Sequence, residues 1–150
     1  MRLWSWKLLP YLPKSQLVAQ KRECDLIWKD LHEGKKTNHI LINYIWVYED
    51  YEKQLSIYYS LLEREFKKRG IKFNVSPNAT IWVGKEFPEP FIFHQDNDYL
   101  MACYWNLREK YTRNQKDFDD ETWNKLHYFV DKELNRLISH IDDKLSDMDD

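Results

Sequence analysis

Apolar residues recur at helical spacing in four stretches of the chain, separated by segments rich in turn-forming residues. Over about 16–33, Leu17, Cys24, Trp28 and Leu31 fall on one stripe, with Ser15 placed to cap the start and Gly34 to end it. Pro10 and Pro13 just ahead favour a turn over an earlier helix. A second helix over about 46–69 carries Tyr48, Tyr51, Leu55, Tyr58, Leu62 and Phe66 and stops at Arg69-Gly70. Its last turn, Lys67-Lys68-Arg69, complements the helix dipole. A third covers about 96–112 through Tyr99, Leu100, Cys103 and Leu107. The last, about 120–145, has the cleanest stripe: Trp123, Leu126, Val130, Leu134, Leu137, Ile141 and Leu145. It runs into Asp147-Met-Asp-Asp150, an acidic end expected to fray. Residues 71–75 and 80–83 flank Ser76-Pro77-Asn78 and suit a short hairpin near 71–83, although two short strands are marginal on their own. The expected fold is one all-α domain over residues 1–150, with about four helices and that single hairpin.

Composition sharpens this picture. The chain has 150 residues with 7 Phe, 7 Trp and 10 Tyr but only 3 Gly, which is ample apolar material to offset conformational entropy. No apolar run approaches the roughly 20 residues of a bilayer span, and Met1-Arg-Leu-Trp does not read as a signal peptide. Cys24 and Cys103 have no partners at metal-ligand spacing, so neither a disulfide nor a zinc framework is implied. A reduced, cytoplasmic setting, no membrane and a monomer are expected.

The formal charge of −2 argues against a uniformly basic nucleic-acid binder, but the charge is unevenly placed. Residues 1–75 hold 14 Lys+Arg against 9 Asp+Glu, a net +5, whereas residues 76–150 hold 9 against 16, a net −7. A polyanion should therefore meet the N-terminal half, where Arg2, Lys7, Lys14, Lys21, Arg22, Lys29, Lys35 and Lys36 accumulate. The plainer alternative is a set of ordinary solvated helix faces.

Familiar catalytic signatures are missing: no glycine-rich phosphate loop, no Gly-x-Ser-x-Gly elbow, no His-Glu-x-x-His. His32, His39, His94, His127 and His140 show no metal spacing, so no metal and no cofactor is expected. Asp96, Asp98 and Asp119-Asp120-Glu121 precede helices and read as caps. One segment stands out, Leu17-Val-Ala19-Gln-Lys-Arg22-Glu23. On a helical wheel Glu23 falls at the border of the apolar stripe and Arg22 on the far side. A carboxylate at such a border is open to partial desolvation, which suits proton transfer. A surface Glu paired with a lysine is the competing explanation.

Met1-Arg-Leu-Trp, then Leu17-x-Ala19-x-x-Arg22-Glu23, then Gly34-Lys35, then a long helix closing on Lys68-Arg69-Gly70 resembles the pyrimidine-dimer DNA glycosylase family of the phage endonuclease V type. The likeness covers about the first 70 residues. It implies a metal-free, all-α glycosylase and abasic-site lyase that acts on a damaged or modified pyrimidine in double-stranded DNA. The α-amine of the first residue would attack C1′ and form a Schiff base with the opened sugar, and a glutamate would assist opening and β-elimination. An α-amine, with a pKa near about 8, is a better nucleophile at neutral pH than a lysine. Carried onto this chain, the resemblance gives Met1 as nucleophile and Glu23 as acid/base. Arg2, Arg22, Lys35 and Lys36 would bind DNA, and Gln16 stands where known members carry a histidine. Arg2 disfavours removal of Met1, which would then present its own amine. Trp4 and Trp6 flank that nucleophile and are candidates for stacking on an exposed base.

Two other readings remain open from sequence. One is a binding module on the same scaffold that takes nucleic acid or a protein without catalysis. The other treats residues 117–150 as an acidic helix for a basic partner.

Overall fold

Glycine ends two of the helices in the same way. Gly34 (φ +79°) and Gly70 (φ +69°) lie in the left-handed region, which costs a residue without Cβ nothing. Around Gly34, its own N–H donates to the Leu31 carbonyl (3.0 Å) and that of Lys35 to Asp30 (2.8 Å). Around Gly70, the corresponding bonds run from Gly70 to Lys67 (3.1 Å) and from Ile71 to Phe66 (2.9 Å). These paired bonds satisfy the last carbonyls of each helix and fix where the chain leaves it. The helices so ended are α1 (Lys14–His32) and α2 (Tyr51–Lys68); α3 (Asn97–Thr112) and α4 (Asp120–Asp149) follow. Short 3-10 helices at Trp6–Tyr11 and Asn43–Val47 precede α1 and α2. This computed structural model describes residues 1–149, with side chains described through Asn135. The expected stripe positions Leu137, Ile141 and Leu145, and the acidic end at 147–150, fall outside the described side chains.

The architecture is all-α, as the apolar periodicity predicts, and no strand is present among the described residues. The hairpin expected near 71–83 does not form. Its backbone and side chains are taken by α2 instead: the Ser76 N–H donates to the Tyr59 hydroxyl (3.0 Å) and the Trp82 N–H to Ser60 Oγ (2.8 Å). The Phe73 ring packs edge-on against both Tyr59 and Phe66, each at 5.0 Å. Polar groups satisfied this way leave no reason for two marginal strands to pair.

The core gathers Leu17, Ile27 and Trp28 from α1, Leu55, Tyr58, Tyr59, Leu62 and Phe66 from α2, and Leu100, Cys103 and Leu107 from α3. Trp123, Leu126 and Val130 close it from α4. Full burial of each Leu or Ile side chain is worth about 1.5–3 kcal/mol relative to exposure. Asp96 caps α3 as its position suggests, accepting from the Tyr99 N–H at 2.9 Å, and Asp119 accepts from Thr122 at 2.8 Å.

Ser15 does not cap α1, which begins at Lys14 after Pro13. Its N–H (2.8 Å) and hydroxyl (2.5 Å) both donate to the Asp117 carboxylate, which comes from the α3–α4 connection. The first turn of α1 is thus capped from 102 residues away, beyond what local sequence signals encode.

Candidate active site

The first six residues run across the packed helices, and buried side chains hold their backbone almost group by group. Gln20 on α1 accepts from the Trp4 N–H at 2.7 Å, and its amide nitrogen donates to the Arg2 carbonyl at 3.0 Å. Tyr58 on α2 donates to the Trp4 carbonyl (2.7 Å) and to Gln20 Oε1 (3.1 Å). From α3, the Tyr99 hydroxyl donates to the Leu3 carbonyl. Gln95 accepts from the Trp6 N–H at 2.8 Å and is itself oriented by Tyr44 at 2.8 Å. Gln20 (1 % exposed) and Tyr58 (0 %) are buried, so their bonds to the Trp4 backbone form away from competing water. The consequence is a held backbone from Arg2 to Trp6, next to Met1.

Gln16, Gln20 and Glu23 stand at i, i+4 and i+7 on α1 and so share one face, with the small Ala19 between them. That face and the N-terminal segment enclose a cavity of about 210 Å³. Met1, Arg2 and Trp4 line one side, and Gln16, Gln20 and Glu23 the other; Leu41, Asn106 and Lys110 complete it. The structure therefore brings together five residues singled out by sequence besides the proposed nucleophile: Arg2, Trp4, Gln16, Glu23 and, as their spacer, Ala19.

Burial raises the Glu23 carboxyl above the ordinary carboxylate range. The N-terminal amine, the Arg2 backbone N–H, the Gln20 amide (3.1 Å) and His39 all favour its ionised form and limit that rise. The border position read from the helical wheel thus has the expected physical effect. The amine and the carboxylate influence each other across the cavity, although Met1 forms no direct ion pair among the described residues.

Arg2 is half-buried, with its guanidinium 5.9 Å from the Tyr99 ring centroid and against the Cys103 sulfur. Trp4 is only 7 % exposed and belongs to the core, so it meets the cavity as a wall. Gln16 is nearly buried and donates to Gln115 Oε1 at 2.7 Å. Arg22 is exposed and lies outside the cavity, as do Lys35, 3.7 Å from Glu33, and Lys36, whose ammonium sits 5.0 Å over the Tyr51 ring. Trp6 faces a different cavity. No group of three His, Cys, Asp or Glu among the described residues is placed to hold a metal ion. No helix among them is long and apolar enough to cross a membrane.

Sequence reasoning missed Gln20, Tyr58, Tyr99, Asn106 and Lys110. Gln20 carried a faint signal, being the polar residue between Ala19 and Glu23 on the same face; the others are joined to the site only by the tertiary fold.

An all-α fold in which the N-terminal segment and the half-buried Glu23 share one cavity is the plan of this chain. The chain belongs to the pyrimidine dimer DNA glycosylase family, whose model matches residues 1–78 of the 150. The protein is therefore a DNA glycosylase in the broad sense, with DNA as its substrate. Neither the curated proteins nor the solved structures contain a match to it. The matched segment holds Met1, Arg2, Gln20, Glu23 and Tyr58, whereas Asn106 and Lys110 lie beyond it.

Proposed function

We propose that this protein is a bifunctional glycosylase and abasic-site lyase that acts on a damaged pyrimidine through the Met1 amine and Glu23. The single observation that carries the reading is the shared cavity, which Met1 and a carboxyl held partly out of water both line.

The neutral Met1 amine attacks C1′, and the bond from C1′ to the base breaks with its electron pair leaving on the base, which takes up a proton. The nitrogen gives up a proton, the C1′–O4′ bond opens, and O4′ is protonated as the imine forms. A raised carboxyl is suited to supplying that proton, because more of it is protonated near neutral pH than of an ordinary glutamate. Once ionised, Glu23 removes a proton from C2′, and the C3′–O3′ bond breaks with the phosphate as leaving group. Water then hydrolyses the imine and regenerates the amine. Arg2 and Lys110 supply cations at the cavity for the flanking phosphates, while Arg22, Lys35 and Lys36 serve the duplex further out.

Reaction with duplexes carrying either a pyrimidine dimer or an abasic site tests this. Cleavage of one glycosidic bond of the dimer (its base staying tethered to the neighbouring pyrimidine), strand cleavage of both duplexes and a borohydride-trapped adduct with both are expected. Salt-dependent binding with no cleavage or adduct would leave a non-catalytic binding module and end the proposal.

A further inference from the structure

A second cavity is larger than the one that holds Met1. It measures about 450 Å³, within the usual range for small-ligand sites, and lies between the 3-10 helix Trp6–Tyr11, the C-terminal part of α2 and residues 85–88. Trp4 and Trp6, two residues apart on the pinned segment, wall separate cavities: Trp4 the one with Met1, Trp6 this one.

Its lining joins two chemistries. Trp6 and Phe87 give aromatic walls, and Leu9 and Leu61 an apolar floor. Lys7, Arg64, Lys68 and Lys85 bring four cations against two carboxylates, Glu65 and Glu86. Glu65 is already taken by Arg69 at 2.8 Å, and Lys7 lies 3.9 Å from Glu133. Lys68 and Lys85 form no ion pair among the described residues, and the Arg64 guanidinium rests 5.0 Å over the Phe87 ring.

The loop that supplies Lys85 and Phe87 is anchored. The Trp82 N–H is held by Ser60 of α2 (2.8 Å), its indole donates to the Glu86 carbonyl (3.0 Å), and the Lys53 ammonium sits 5.6 Å over its ring. Gly84 lies so close that a Cβ there would stand 2.7 Å from the indole nitrogen. The loop wall of the cavity is therefore set by built contacts.

Aromatic walls with an unpaired pair of lysines suit a planar ring that carries a phosphate. We infer that the cavity bounded by Trp6, Phe87, Lys68 and Lys85 is a second binding site, for a nucleoside monophosphate unit, separate from the Met1 cavity. The unit comes either as a free nucleotide or as one nucleotide of a strand. The inference does not depend on Schiff-base chemistry at Met1.

Calorimetric titration of the intact protein at low ionic strength with thymidine monophosphate, thymidine, inorganic phosphate and a thymidine trinucleotide tests it. The monophosphate should bind saturably, and thymidine or phosphate alone at least about tenfold more weakly, since each lacks one half of the contacts. The double substitution Lys68→Glu/Lys85→Glu should weaken the monophosphate about tenfold or more, and the Trp6 indole N–H resonance should shift on binding to the unsubstituted protein. A trinucleotide about tenfold tighter than the monophosphate, with the same sensitivity, identifies a strand nucleotide; equal affinities identify a free one. The inference is overturned if phosphate binds as well as the nucleotide. It is equally overturned if the double substitution and the Trp6 resonance do not respond, or if binding responds to Glu23→Gln in their place.

Discussion

Gln20 and Glu23 are joined one turn apart on α1, where the Gln20 amide nitrogen donates to the Glu23 carboxylate at 3.1 Å while also donating to the Arg2 carbonyl at 3.0 Å. One amide therefore sets the proposed acid/base and the segment that carries the proposed nucleophile in a single frame.

Replacing Gln20 should separate chemistry from binding. Gln20→Leu leaves the Trp4 N–H and the Arg2 carbonyl without their buried partner, at about 1–3 kcal/mol for each group left unsatisfied, while the Tyr58 hydroxyl keeps its bond to the Trp4 carbonyl. Thermal melting should fall, and the rate of adduct formation should fall more than DNA affinity does. Equal losses in both would mean that Gln20 is only a structural residue. A milder version is Tyr58→Phe, which keeps the ring and removes the bond to Trp4 at 2.7 Å; it should cost about 1–2 kcal/mol by denaturant titration.

The pH dependence of stability has a definite sign. Burial lifts the folded-state pKa of Glu23 above its unfolded value, so the ionised group opposes folding at high pH. That opposition is fully present above the raised pKa and disappears once the pH falls below the ordinary carboxylate value. Glu23→Gln should therefore melt at or above the parent protein at pH 8, with the difference shrinking towards pH 4. A variant that melts well below the parent at pH 8 would mean that the contacts to the amine and the Arg2 N–H outweigh desolvation.

Lys110 tests whether the site extends beyond the part of the chain that matches the family. Lys110→Ala should weaken duplex binding and flatten its logarithmic salt dependence by about 0.9 if one phosphate contact is lost. Trapping at saturating DNA should change little. An unaltered salt slope would remove Lys110 from the phosphate-binding set.

The remote cap of α1 offers a control far from the chemistry. Asp117 has φ +55°, which Asn tolerates better than most residues, and its carboxylate takes both Ser15 donors. Asp117→Ala should lose about 1–2 kcal/mol of stability, and Asp117→Asn should recover most of it. Trapping activity at a temperature where all are folded should be unchanged.

The parts legible in the sequence are those set by local physics. Helical stripes, the glycines at 34 and 70 and the Asp96 cap each follow from neighbours within a turn or two, and the structure has them where expected, save that the helix expected from about 46 begins at Tyr51 and leaves Tyr48 in extended backbone after the 3-10 helix Asn43–Val47. Glu23 was legible for the same reason, because a helical wheel needs only spacing. Ser15 looked like a cap because local signals cannot register that Asp117 arrives from another connection. The segment 71–83 looked like a hairpin because β-prone residues do not reveal that Tyr59 and Ser60 will take its backbone donors. The site was legible on α1 and dark elsewhere: Tyr58, Tyr99 and Lys110 look like stripe or surface residues until the helices pack. Lys35 and Lys36 stood out by charge, yet charge gives no direction, and neither lines the cavity.

The most direct test of the central claim is to find the adduct itself. Borohydride-trapped protein, made with abasic-site duplex and digested to peptides, should carry the sugar fragment on the α-amine of Met1. N-terminal acetylation should abolish the adduct, and Glu23→Gln should greatly slow its formation. A fragment on the side chain of a lysine such as Lys110, or an adduct that persists after acetylation, would contradict the account.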